Sequence, residues 1–189
     1  MSLANRALCV VAVVLMATLP AAVAGAARLP DPVHASHSEL RRVGAGELRF
    51  MGRPIYQASL WTPAGRFDGY LAGEPVALSL WYQREFSRAD LLRITATAWR
   101  LLGDVPSHRR DTWLAELDRL WSDVAPGDNL TTVVVSGQAT RFYDAERFLG
   151  QVDDPDFGPA FLSIWLDHRS VVDELRVQLL GSGSTVAHR

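Results

Sequence analysis

Apolar and polar residues alternate with period two from Glu47 to Arg53. Leu48 and Phe50 point one way, and Glu47, Arg49, Met51 and Arg53 the other. Successive side chains of a strand leave opposite faces, so this is the pattern of a half-buried strand. Gly52-Arg53-Pro54 turns the chain. Ile55 to Thr62 then forms a second strand with Tyr56, Ala58 and Leu60 on one face. A third sets Val76, Leu78, Leu80 and Tyr82 against Ala77, Ser79, Trp81 and Gln83. The period then changes to that of a helix. Leu91, Ile94, Ala98 and Leu101 form its inner face, and Trp99 and Leu102 widen it. Ser87 with Asp90 three residues on opens this helix, and Gly103 stops it. A second helix carries Trp113, Leu114, Leu117, Leu120 and Trp121, with Asp111 as its expected cap.

Past the Pro126-Gly127-Asp128 turn, Leu130 to Val135 is a β-branched strand. Gln138 to Tyr143 and Arg147 to Val152 form a hairpin around Asp144-Ala145. Asp154-Pro155 then signals a helix start. Phe157, Ala160, Phe161, Ile164 and Trp165 recur as a helical stripe wide enough to lie on a sheet, and Pro159 predicts a tightened or bent first turn. Ser170, with Asp173 three residues on, predicts the cap of a last helix with Val172, Leu175, Leu179 and Leu180 apolar, ending at Gly181. Strands, two helices, strands, two helices, with short turns between neighbouring strands, define an α+β fold with an antiparallel sheet.

The two ends read differently from this middle. Residues 1–26 have the form of a secretory signal: Arg6, an apolar run from Ala7 to Leu19, Pro20, and small residues that fit cleavage near Ala24 or Ala26. A periplasmic or secreted protein follows, with no stable membrane span after cleavage. A retained anchor is the alternative. Residues 27–42 read as a linker, 43–181 as one globular domain, and 182–189 as a tail. His34 and His37 lie in the linker without a Cys or acidic cluster, so they read as solvated residues rather than metal ligands.

Charge and chemistry narrow the function mostly by exclusion. The chain has 189 residues and a net charge of −2, with nineteen basic residues, all Arg and scattered. No nucleic-acid footprint is visible. Cys9, the sole cysteine, falls in the signal segment, which leaves the mature chain without a thiol, disulfide or thiolate metal site. No nucleophile elbow, zinc helix or phosphate-cradling glycine loop is present. No catalytic residue, metal or cofactor is therefore expected. Asp153 and Asp154 form a carboxylate pair that a helix cap explains. The six Trp suit core packing singly, or together an apolar pocket. Arg49 with Tyr56 offers a forked cation and a phenol, donors suited to a carboxylate or phenolate in a dry cleft, or else a wet-face Arg and a core Tyr.

From Val43 to Gly181 the sequence resembles the chalcone isomerase-like superfamily in its bacterial exported branch. The resemblance rests on Gly44-Ala45-Gly46-Glu47-Leu48-Arg49 leading to Ile55-Tyr56-Gln57-Ala58-Ser59-Leu60-Trp61, and on Pro126-Gly127-Asp128-Asn129-Leu130. Arg141-Phe142-Tyr143, Leu149-Gly150, Phe161-Leu162-Ser163-Ile164-Trp165-Leu166 and Leu179-Leu180-Gly181 complete it. It implies a curved antiparallel sheet with helices packed on it and a ligand cleft between the layers. Plant enzymes of this fold cyclise chalcones with a central Arg, whereas other members hold a fatty-acid carboxylate with an Arg and a Tyr. Tyr56 matches that Tyr. At the Arg position of many bacterial relatives this chain has Leu48, with Arg49 one residue later, which in a strand is the opposite face. Arg41 and Arg42 are the alternatives. The Thr, Asn and Tyr of the plant catalytic pocket have no counterpart here. The resemblance implies a small apolar or carboxylate ligand, such as a fatty acid, held without turnover by Tyr56 and Arg49 or Arg42. An isomerase and a protein-interaction module are the alternatives.

Overall fold

The computed structural model describes residues 28–181. The expected signal segment and the tail lie outside these residues. Six strands pair in sequence order into one antiparallel sheet: β1 (Arg41–Phe50), β2 (Arg53–Thr62), β3 (Pro75–Tyr82), β4 (Asn129–Val135), β5 (Thr140–Tyr143) and β6 (Phe148–Val152). Helices α2 (Arg88–Leu102) and α3 (Ser107–Leu120) leave the sheet between β3 and β4. Helices α4 (Phe157–Leu166) and α5 (Asp173–Leu180) close the domain. The fold is the α+β, antiparallel arrangement that the alternation predicts.

The period-two face of Ala58, Leu60, Val76, Leu78, Leu80, Leu130, Val134 and Phe142 meets the helices and forms the main core. On the other face, Ala77, Val133, Tyr143 and Trp61 pack against Leu29, Val33 and Leu40. This corrects the linker reading of the N-terminal stretch: it carries a short helix, α1 (Asp31–Ser36), whose Val33 is buried against the back of the sheet. Three apolar residues spread over twelve positions make no period, so the sequence pattern gave no sign of it. Beside this apolar patch the back face holds a polar ladder. Asn129 Nδ2 donates to Ser79 Oγ and Leu80 O, both at 2.9 Å, and Thr131 Oγ1 lies 2.9 Å from Ser79 Oγ and 2.8 Å from Asn129 Oδ1. These bonds satisfy groups that burial would otherwise leave costly.

Helix boundaries follow the caps in one case and depart in three. Ser87 Oγ accepts from the Asp90 N–H at 3.1 Å, and Gly103 ends α2 in the left-handed region. Helix α3 starts at Ser107 after Pro106, with no side-chain cap, so Asp111 lies inside it. Asp154 ties the entry of α4 by accepting from the Asp156 N–H at 3.0 Å and from Trp113 Nε1 at 2.9 Å, and the helix begins only at Phe157. Ser170 donates to Ile164 O at 2.6 Å rather than capping α5, which begins at Asp173. Helix α5 lies directly on β1, where a Cβ at Gly44 or Gly46 would run into Gln178 and Leu179.

Candidate functional site

Between the sheet and α2, α4 and the α4–α5 loop lies a cleft of about 650 Å³, within the usual range of small-molecule sites, about 300–1,000 Å³. The register builds its floor. Leu48 pairs with Tyr56 and Tyr56 with Tyr82. One step further in, Ala58 pairs with Leu80 and Leu80 with Leu130. Helix α2 supplies the small residues Thr95, Thr97 and Ala98, and α4 supplies Phe161, Ile164 and Trp165. Small side chains at these α2 positions leave volume that large ones would fill. Ile94 and Leu101, expected on the inner face of α2, line its mouth instead, 46% and 66% exposed, together with Phe50 and Val171. The residues that seal α2 are Leu91, Thr95, Ala98, Trp99 and Leu102.

The polar groups in the lining are few and mostly engaged. The hydroxyls of Thr95 and Thr97 donate to Leu91 O and Arg93 O within α2. Trp165 Nε1 donates to the Tyr56 hydroxyl at 2.9 Å, and the Tyr56 ring meets Tyr82 edge-on at 5.9 Å. Burial pushes the Tyr56 phenol up to about 12, and the Trp165 bond pulls it back only in part. Burial, with Tyr56 beside it, also raises Tyr82. Both phenols therefore stay protonated at neutral pH and act as donors. The remaining titratable residues in the lining are Arg84, Glu85 and Arg93.

Tyr56 is thus in the cleft, and the two expected arginines are not among its lining residues. A register shift falls between Leu48 and Arg49. Arg49 donates from Nη1 to Gly52 O at 2.9 Å and pairs through Nε with Glu47 at 2.5 Å, on the exposed hairpin. Arg42 is exposed and pairs in register with Trp61, which packs on the back of the sheet. Leu48, not a cation, faces Tyr56. Two residues were missed. Trp165 fits both readings of the Trp residues, since it is buried in the main core and lines the cleft, but nothing in the pattern reveals it as the hydrogen-bond partner of Tyr56. Arg84 follows the face of Val76, Leu78, Leu80 and Tyr82 two residues on in sequence, but it lies at a bend beyond β3.

A smaller cavity of about 360 Å³ adjoins the cleft across Leu91, Trp121 and Leu130, with Asp123, Asp128 and Asp144 in its lining. These carboxylates are already spent on backbone N–H groups of Arg88, Ala125, Glu146 and Arg147 at 2.7–2.8 Å. Among the described residues there is no group of three or more His, Cys, Asp or Glu able to hold a metal. No described helix is long and apolar enough to cross a membrane.

The class that this geometry defines is an α+β fold: an antiparallel sheet roofed by helices, with a phenol-lined apolar cleft between the layers. The model of the chalcone isomerase-like family matches residues 21–181, and the chain belongs to that family. Among solved structures it is similar to a fatty-acid binding protein of Arabidopsis thaliana, with a TM-score of 0.61 and 10% identity over 82% of this chain and 89% of that one. At this identity the likeness speaks for the fold. No curated protein matches the sequence significantly.

Proposed function

We propose that this is an exported, non-catalytic member of the chalcone isomerase-like family that holds a long-chain carboxylate in the cleft between sheet and helices. The observation that carries this reading is the cleft itself: apolar, about 650 Å³, and furnished with two neutral phenols. The fatty-acid binding for which the Arabidopsis neighbour is named supports the choice of ligand class. Trp165 donates to the Tyr56 oxygen, which leaves the Tyr56 O–H free to donate to a ligand. Export is supported by Arg6, the apolar run and the small residues after Pro20. N-terminal sequencing of the secreted or periplasmic protein checks it, and a start at Met1 in the membrane fraction overturns it.

The binding reading is tested by titrating delipidated protein with fatty acids of graded chain length. Affinity that rises with chain length, and falls in Tyr56→Phe, is the expected outcome. An absence of binding at every length overturns the reading. So does catalysed cyclisation of a chalcone that requires Tyr56.

A further inference from the structure

We infer that Arg84 is the cation that fixes the ligand's carboxylate at the mouth of the cleft, with the chain running inward over Tyr82, Leu80 and Leu130. This rests on the carrier reading above and names the anchor that reading lacks. A carboxylate leaving water has to recover its hydration from charged or multiple donors, so one phenol does not suffice. The arginines that line the cleft are Arg84 and Arg93. Arg93 is already held by Asp90 at 2.8 Å. Arg84 has no hydrogen bond or ion pair among the described residues.

The backbone aims Arg84 suitably. A backbone bond just past the strand, from the Gln83 N–H to Ile55 O at 2.9 Å, holds the chain against β2. The strand itself ends at Tyr82 and the chain bends at Gln83 and Arg84, which leaves Arg84 in the lining at the cleft mouth, next to the last strand residue. Exposure falls inward from there, from exposed Arg84 to buried Tyr82 and Leu80. The cleft is thus graded from charge to phenol to hydrocarbon, which matches a fatty acid entering tail first. Within this gradient, the guanidinium and a phenolic O–H reach one head group from adjacent positions. The Tyr82 hydroxyl makes no hydrogen bond among the described residues, and the Tyr56 hydroxyl keeps its proton to give. Leu48 opposite Tyr56 leaves no cation deeper in the cleft to compete. Glu85, in the same lining, opposes the carboxylate and sets a sign for the test.

The experiment titrates delipidated full-length mature protein with palmitic acid and with the alcohol of the same chain length. Wild type, Arg84→Gln, Glu85→Gln and Arg49→Gln are compared, and thermal melts check that each is folded. Arg84→Gln is expected to weaken palmitate roughly ten- to a hundredfold and to leave the alcohol unchanged, the usual effect of losing a charge-assisted hydrogen bond. Glu85→Gln is expected to tighten palmitate, and Arg49→Gln to change neither ligand. Equal palmitate binding by wild type and Arg84→Gln overturns the anchor while the carrier reading stands. Loss of the acid preference in Arg49→Gln instead does the same. Wild type that binds neither ligand overturns both.

Discussion

The space between sheet and helices has two halves that end differently. Over β4 to β6 it is sealed by aromatic rings. Phe157 and Phe161 stack at 5.4 Å, Trp99 lies 5.6 Å from Trp113, and Phe142 meets Phe161 at 5.6 Å. In this half Trp99 Nε1 donates to Ala160 O at 2.8 Å and Trp113 Nε1 to Asp154, while the buried Trp121 Nε1 and Thr140 Oγ1 have no hydrogen-bond partner among the described residues. Helix α5 covers the start of β1, but over Leu48, Tyr56, Leu80 and Tyr82 the sheet face is also apolar, the α2 lining includes Thr95, Thr97 and Ala98, and space remains. Trp121 and Phe161 stand at the boundary, lining the cleft on one side and touching the aromatic cluster on the other. The same alternation in the strands produces core in one half and cleft in the other. What separates them is the size of the facing helical residues. Stability therefore concentrates in the sealed half and binding in the open one.

The largest expected effect is the loss of a ring from the sealed half. Trp99 is fully buried at the centre of the cluster. Trp99→Ala removes its packing and its hydrogen bond to the Ala160 carbonyl, and should cost ~3–5 kcal/mol. Urea denaturation checks this. A loss under about 1 kcal/mol would show that the cluster is not the keystone of the fold.

Next comes a change that adds volume rather than removing it. A Cβ at Gly158 would lie 2.5 Å from Thr140 Oγ1 and 2.6 Å from Val134 Cγ1. Helix α4 touches the sheet through this glycine, and Gly158→Ala should lift it away at a cost of ~1–3 kcal/mol, the range for overpacking a tight core. A neutral or stabilising result would mean that α4 has slack and that the contrast between the halves is smaller than described.

Much of this division is legible in the sequence, and the rest is hidden for identifiable reasons. The strands, the hairpin around Asp144, the Ser87 cap and the Gly103 stop follow local rules, because each depends on a few adjacent residues. Tyr56 is legible by resemblance and by its place on the inward face of β2. Period alone, however, says that Ile94 and Leu101 share a helix face, not whether anything covers that face. The fate of Arg49 depends on a bulge after Leu48, which no alternation reveals. Ser170 and Asp111 have capping chemistry, yet Ser170 serves Ile164 and Asp111 lies within a longer helix. Arg84 lies just past the end of β3, where strand alternation no longer fixes the face of a side chain.

A smaller effect is expected where the helical layer is tied together beside the cleft. Asp167 accepts from Arg169 Nε at 2.9 Å and from its backbone N–H at 2.7 Å, while Arg169 also reaches Asp104 and Leu102 O at the end of α2. Chiefly through the side-chain bonds from Arg169, the Asp167 carboxyl falls to about 2, below its ordinary value of about 3.9. A depressed folded-state value means stability that is fully present above the ordinary value and is lost as pH falls through the folded one. Asp167→Asn should therefore lower the melting temperature at pH 6, by less than either core variant because solvent screens the pair. The gap to wild type should close as the pH approaches 2. A gap that is constant with pH would show that the side chain acts by packing alone.

The smallest effect on stability should come from the rim of the open half, and there it should separate from binding. Leu101 is a large apolar residue on α2, one residue before buried Leu102, yet it is two-thirds exposed at the mouth of the cleft. Replacing it with Ser removes hydrocarbon that water already touches, so Leu101→Ser should shift the unfolding free energy by no more than about 0.5 kcal/mol. A ligand chain crossing the mouth would cover that surface. Losing part of this burial, at about 25 cal/mol per Å² of apolar area, should weaken palmitate several-fold. The same substitution at buried Leu117 in α3 serves as the counterpart: it should cost several times more stability, because water never reached that site. Parallel urea unfolding and palmitate titration of Leu101→Ser decide the matter. Destabilisation above about 1 kcal/mol would place Leu101 in the core and close the open half. Unchanged stability with unchanged palmitate affinity would leave the cleft open but route the ligand away from α2.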